Sequence, residues 1–230
     1  MVRTFRALSA LLSYPTAELV AAIPEIREVL RQEGVVGPDD LTALQRLLDA
    51  LETQDLYEVQ ERYVGLFDRS RALSLHLFEH VHGESRDRGQ AMVDLAALYR
   101  RHGFVVASRE LPDFLPLFLE FLSLIELDEA RRLLGDAAPI LKVLAERLAR
   151  RGAAYAAILE ALVALASRED ETTALAVVTE DPGTEDLAAL DMEWEEAAVT
   201  FGPGDPPGDG CGRSRLMTRL RAAVRSPAAS

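Results

Sequence analysis

The sequence predicts an all-α protein, and three observations carry that expectation. Leu and Ala, both strong helix formers, dominate an apolar content of 49%, while Val, Ile and the aromatic residues are sparse. Apolar residues recur at three- and four-residue spacing nearly everywhere up to Ser167, the period of one helix face. No stretch alternates apolar and polar residues at the period of two that a half-buried strand needs. A chain of 230 residues with this much apolar content suits a single helical-bundle domain followed by a tail.

The elements follow in order. Phe5, Leu8, Leu11 and Leu12 form a first stripe that ends at Pro15. Thr16 stands where a cap belongs for a second helix, with Leu19, Val20, Ile23, Ile26, Val29 and Leu30 on its apolar face and Gly34 beyond its end. Pro24 interrupts that run, and its missing N–H predicts a kink or a break there. Pro38-Asp39-Asp40 opens a third helix, and Asp55 opens a fourth that carries Leu56, Val59, Tyr63 and Phe67. Periodicity fails from Asp68 to Gly89, a stretch rich in His, Arg, Glu and Ser. It returns with Met92, Leu95, Leu98 and Tyr99, stops near Gly103 and restarts after Pro112. Helices over 128–151 and 153–167 close the domain, which the sequence bounds at 1–168.

Beyond Arg168 the composition changes. Between Glu169 and Glu196 there are eleven acidic residues and no basic ones, and Gly202 to Gly212 is rich in Gly, Pro and Asp. A short basic amphipathic stretch follows, from Arg213 to Arg225. Such composition buries too little apolar surface to join the main core, so 169–230 reads as an acidic, mostly flexible tail. The net charge of −13 argues against a nucleic-acid ligand, which needs a basic face. The single cysteine, Cys211, excludes an internal disulfide and a cysteine-based zinc cluster. The apolar run Ala7 to Leu12 is too short for a signal peptide, and Leu115 to Leu127, interrupted by Glu120 and Glu126, is too short to cross a bilayer. The expectation is a cytoplasmic protein without direct membrane insertion.

Two clusters could carry chemistry. His76, Glu79, His80, His82 and Glu84 lie close together, and the four-residue step from His76 to His80 is a spacing used by zinc sites. That supports one rival reading, a metal-dependent hydrolase on His76, His80 and His82. The plainer reading is an ordered polar segment that pairs with Arg86, Asp87 and Arg88, and the poor match to a zinc motif favours it. The second cluster is Glu110-Leu111-Pro112-Asp113-Phe114-Leu115-Pro116, with Asp113 placed to cap the next helix and Pro116 in its first turn. Glu120 falls inside that apolar helix, either as half of a buried ion pair or as an acid that meets a basic ligand. No phosphate loop, nucleophile elbow or spaced Ser/His/Asp set is present, so no enzyme and no cofactor are expected.

Several of these stretches, in order, resemble the delta-subunit family of respiratory nitrate reductase, the molybdenum-cofactor assembly chaperones. They are Leu11-Leu12-Ser13-Tyr14-Pro15, Tyr63-Val64-Gly65-Leu66-Phe67-Asp68-Arg69, the block from Ser74 to Met92, Glu110 to Leu122, and Trp194-Glu195-Glu196 with Val199-Thr200-Phe201. The resemblance implies the TorD-like helical fold of the wider family that also serves trimethylamine-oxide and dimethyl-sulfoxide reductases. It implies a chaperone that binds the N-terminal leader of the catalytic (alpha) subunit of nitrate reductase. The chaperone would hold that subunit for insertion of the molybdenum cofactor and the iron–sulfur cluster before membrane docking. In the wider family a His often follows the Pro-Asp pair; Phe114 stands there in this chain, so no role transfers from that His.

A basic, apolar leader would bind as an amphipathic helix in an apolar groove rimmed by carboxylates. The expected walls are Tyr63, Phe67, Met92, Tyr99, Phe114 and Leu117. The expected acids are Asp68, Glu79, Glu84, Glu110, Asp113 and Glu120, with His76 beside them. Segments 55–68, 89–101 and 112–126 would form the groove, flanked by 69–88. The chain would act as a monomer or a weak, domain-swapped dimer. A second rival is a structural helical subunit that stays in the finished complex.

Overall fold

The computed structural model describes residues 2–82, 85–107 and 110–166. The acidic and Gly/Pro-rich segments of 169–230, and Glu84, lie outside the described residues. Among the described residues there are nine α-helices and no strand. They are α1 (Arg3–Leu12), α2 (Ala17–Glu33), α3 (Pro38–Thr53), α4 (Leu56–Phe67), α5 (Glu79–His82), α6 (Asp87–Arg101), α7 (Leu115–Leu124), α8 (Leu127–Arg150) and α9 (Ala156–Leu165). A single 3₁₀ turn, Arg71–Leu73, lies between α4 and α5. No helix among them is long and apolar enough to cross a membrane.

The local rules read from the sequence set most boundaries. The Thr16 hydroxyl accepts from the Leu19 N–H at 3.3 Å, and the Asp55 carboxylate accepts from the Tyr57 N–H at 2.9 Å, so α2 and α4 begin on side-chain caps. Gly34 closes α2 at φ 60°, a backbone conformation that a Cβ would strain. Pro24 departs from expectation, because α2 runs unbroken through it. Ile23, Ile26, Val29 and Leu30 are all buried on the same helix, on both sides of the proline. Burying a large aliphatic side chain is worth ~1.5–3 kcal/mol, and four of them outweigh the ~3 kcal/mol that an internal proline costs.

The bundle is organised around α1. Its Phe5, Leu8, Leu11 and Leu12 are fully buried, and it packs along α7, α2 and α9. On the far side α8 packs along α9, while α3 bridges α2 and α9. The Ser9 hydroxyl donates to the Pro116 carbonyl at 2.7 Å, and the Val2 N–H donates to the Ser123 carbonyl at 3.0 Å. Those two bonds lock both ends of the α1–α7 contact.

The first N–H groups of α1 have no cap from their own neighbourhood, since Val2 has no side-chain acceptor. Glu33 supplies one from the end of α2. Its carboxylate accepts from the Arg3 N–H at 3.0 Å, the Thr4 N–H at 2.7 Å and the Thr4 hydroxyl at 2.8 Å. Burial alone would raise the Glu33 carboxyl, but the bonds from Thr4 and Arg3 outweigh it and hold the group below its ordinary range. The negative charge also sits at the positive end of the α1 dipole.

Glu33→Gln is expected to destabilise the fold by ~1–2 kcal/mol at neutral pH, measured by urea unfolding. A depressed folded value stabilises only above the unfolded value, so the gap should close as pH falls below ~4.3. A gap that persists unchanged at pH 3 would show that the charge contributes nothing.

Candidate partner-binding groove

Leu111-Pro112-Asp113-Phe114 forms a tight turn just before α7, with the Phe114 N–H donating to the Leu111 carbonyl at 3.0 Å. Proline suits the second position of such a turn because its φ is already set. The turn is pinned from α6, where the buried Tyr99 hydroxyl donates to the Pro112 carbonyl at 2.6 Å. It in turn pins residues 75–78. The Leu77 N–H donates to the Asp113 carbonyl at 3.1 Å, and the Leu115 N–H donates to the Leu75 carbonyl at 2.8 Å. These bonds bring His76 and Phe114 opposite each other in an isolated antiparallel bridge, with ring centroids 5.3 Å apart.

The Asp113 side chain completes this junction. It is fully buried, accepts from the Phe78 N–H at 3.0 Å and sits 3.2 Å from His76 Nδ1. In the tautomer with Nδ1 protonated, the ring donates to this carboxyl oxygen. The hydrogen bond to Asp113 raises the His76 pKa against the opposing effect of burial. His80 behaves in the opposite way: burial lowers its pKa, and Nε2–H donates to the Ser74 carbonyl at 2.8 Å.

Beside the junction is a groove of about 430 Å³, lined by Ser13, Tyr14, Tyr63, Phe67, Asp68, Ser74, Leu75, His76, Glu110 and Phe114. Its floor is aromatic. Tyr63 is 4% exposed and packs against Phe67 at 4.9 Å between centroids, and Tyr155 closes edge-on beneath both. Burial pushes the Tyr155 hydroxyl up to about 12 and, with the Asp68 charge nearby, raises Tyr63 still further, so both phenols are neutral. The lip is Tyr14, 47% exposed, whose ring meets Tyr63 edge-on at 5.7 Å. Two bonds fix α4 against this lip: Tyr63 hydroxyl to the Leu12 carbonyl at 2.9 Å, and Gln60 Nε2 to the Pro15 carbonyl at 2.8 Å. Asp68 and Glu110 are exposed carboxylates at the rim.

The groove therefore gathers Tyr63, Phe67, Asp68, His76, Glu110 and Phe114 from the residues singled out in the sequence. It leaves the others elsewhere. Tyr99 and Leu117 are buried in the core, and Met92 packs half-buried against it. Glu79 is engaged by Arg88 at 3.0 Å, tying α5 to α6. Glu120 is exposed on α7 and is not part of this lining, so of its two readings the buried ion pair does not occur. Asp113 neither caps α7, whose N-cap is Phe114, nor reaches the rim; it is a buried tie. Segment 89–101 contributes no lining residue. Sequence reasoning missed Ser13, Tyr14, Ser74 and Leu75 as site residues, although Tyr14-Pro15 was visible as a motif.

An Asp–His pair beside two serines invites comparison with a hydrolase, and the geometry does not support it. The Ser74 hydroxyl accepts from the His76 backbone N–H at 3.2 Å, and the Ser13 hydroxyl donates to the Ser9 carbonyl at 3.0 Å. Neither oxygen is bonded to the imidazole as an activated nucleophile would be. Among the described residues no three His, Cys, Asp or Glu side chains converge on a common metal position.

Comparison with known proteins gives the family. The model of the nitrate reductase delta subunit family matches residues 36–161, more than half of the chain. The chain is 44% identical to the nitrate reductase molybdenum cofactor assembly chaperone NarJ of Escherichia coli K12, covering 93% of this chain and 89% of that protein. It is 38% identical to NarW of the same strain, described as a probable assembly chaperone of the same kind, over 87% of this chain and 84% of NarW. It is 34% identical to the corresponding probable NarJ of Bacillus subtilis 168, over 70% of this chain and 86% of that protein. The chain belongs to the nitrate reductase delta subunit family.

Asp113→Asn leaves one acceptor oxygen where two donors must be met, and the expected loss is ~1–3 kcal/mol by urea unfolding. His76 is raised in the folded state, so its share of stability is present below ~6.5 and fades as pH rises through the folded value. The penalty should therefore be larger at pH 6 than at pH 9, and the His76 NMR titration midpoint should drop in the variant. Equal penalties at both pH values, with an unmoved midpoint, would contradict the pairing.

Proposed function

We propose that this chain is an assembly chaperone for a respiratory nitrate reductase. It binds the N-terminal segment of the apo catalytic subunit in the groove between Tyr14 and Phe114. It holds that subunit for insertion of the molybdenum cofactor and the iron–sulfur cluster before membrane docking, and then leaves. The observation that carries the reading is the pairing of an aromatic floor with exposed acids at the rim. The relatives' names, which describe assembly chaperones of nitrate reductase, point the same way.

The physical case is one of division of labour. The exposed Tyr14 ring and the half-buried Phe114, backed by the buried Tyr63 and Phe67, offer apolar surface for one or two anchors of an amphipathic helix, and buried anchors supply most of the affinity in such contacts. Asp68 and Glu110, on opposite chain segments, select a cationic partner and speed its approach. The floor is held by hydrogen bonds before any partner arrives, so little ordering cost falls on the binding step. Glu120 and Asp113 have no part in the contact.

Calorimetric titration of the full chain with a peptide covering the first few tens of residues of the cognate catalytic subunit tests this. Micromolar or tighter binding is expected, weakened about tenfold by Asp68→Lys with Glu110→Lys and unchanged by Glu120→Lys. Weakening by the Glu120 change alone would move the site to another face. No binding at any salt concentration would remove the leader from the mechanism.

A further inference from the structure

We propose that the groove has a second occupant from the same chain: the basic segment Arg213–Arg225 docks there when no leader is bound. The site selects it by charge. The acidic stretch from Glu169 to Glu196, with eleven carboxylates and no cation, would be repelled by Asp68 and Glu110 at the rim. Arg213, Arg215, Arg219, Arg221 and Arg225 carry five positive charges with no acid among them. At helical spacing Leu216, Leu220 and Val224 share one face, and Met217 adjoins it. That face matches the apolar surface of Tyr14 and Phe114 over the buried Tyr63 and Phe67, and the arginines match the rim. The segment thus has the chemistry expected of a leader while belonging to the chaperone.

The chain's route permits the contact. Tyr155 stands under the aromatic floor, and α9 carries the chain only about 15 Å further before the described residues end at Ala166. The 46 residues from Ser167 to Gly212 can extend to roughly 150 Å, so reach sets no limit. A tethered segment competes at a high effective concentration, which lets a weak contact compete with a tighter partner. Docking of 213–225 would cover exposed aromatic surface in the idle chaperone. The regulatory step, displacement by the leader, rests on the leader reading; the docking itself does not.

The chain's only cysteine, Cys211, stands beside the segment and accepts a nitroxide label without any substitution. In the full-length labelled chain, the amide signals of Tyr14, Asp68 and His76 should broaden, while those of Glu120 should not. Arg219→Ser with Arg221→Ser should restore the groove signals and tighten leader binding about tenfold by removing the competitor. Sharp groove signals in the labelled wild type would overturn the proposal. Broadening seen only when labelled and isotope-enriched chains are mixed would also overturn it, assigning the segment to a second copy. Tail-dependent binding to anionic vesicles with silent groove signals would overturn it in favour of a membrane surface. Groove broadening with no leader affinity would keep this proposal and sink the leader reading. Sharp groove signals with intact leader binding, unaltered by the double substitution, would do the reverse.

Discussion

A carboxylate taken wholly out of water must be given donors, and meeting that demand at Asp113 organises the functional end of this molecule. The Phe78 N–H and the His76 ring both point at it. Because those donors belong to the polar stretch before α5, the demand fixes residues 75–78 against the turn that starts α7. Tyr99 holds the same turn from α6 through the Pro112 carbonyl. Three segments far apart in sequence are thereby set in register by one buried charge and one buried phenol. The groove lies along the edge of that junction.

The same logic explains why the groove has its particular chemistry. Residues committed to the junction are buried and satisfied, so they are not available to a partner. Phe114 and Glu110 flank the junction and line the groove, and His76, tied to Asp113 through Nδ1 but only part-buried, lines it as well. From the opposite wall α4 brings Tyr63, Phe67 and Asp68, held against the α1–α2 turn by Tyr63 and Gln60. Each wall thus supplies both apolar surface and an acid at the rim, and a cationic amphipathic segment fits both at once.

Much of the fold was legible in the sequence because helix caps and apolar periodicity are local signals. Thr16, Gly34 and Asp55 act where their chemistry placed them. What was not legible depends on partners remote in sequence. The α1 cap comes from Glu33, and no motif near Val2 announces it. Pro24 suggested an interruption that burial on both sides of it overrides. Asp113 looks from sequence like a helix cap or a rim acid, and only the approach of Phe78 and His76 turns it into an internal tie. Glu120 looks costly in an apolar run until the helix face that carries it proves to be exposed. Tyr14 lacks a periodic signal altogether, since it sits in the turn between α1 and α2.

The central claim is that the groove between Tyr14 and Phe114 is where a leader helix sits. Replacing the exposed Tyr14 by a photo-reactive benzoyl-phenylalanine, and irradiating the full chain with a leader peptide, tests it most directly. A covalent adduct formed from position 14, suppressed by excess unlabelled peptide, and absent when the same group replaces Glu120, is the expected result. Adduct formation from position 120 with none from position 14, at a peptide concentration that saturates calorimetric binding, would contradict the account.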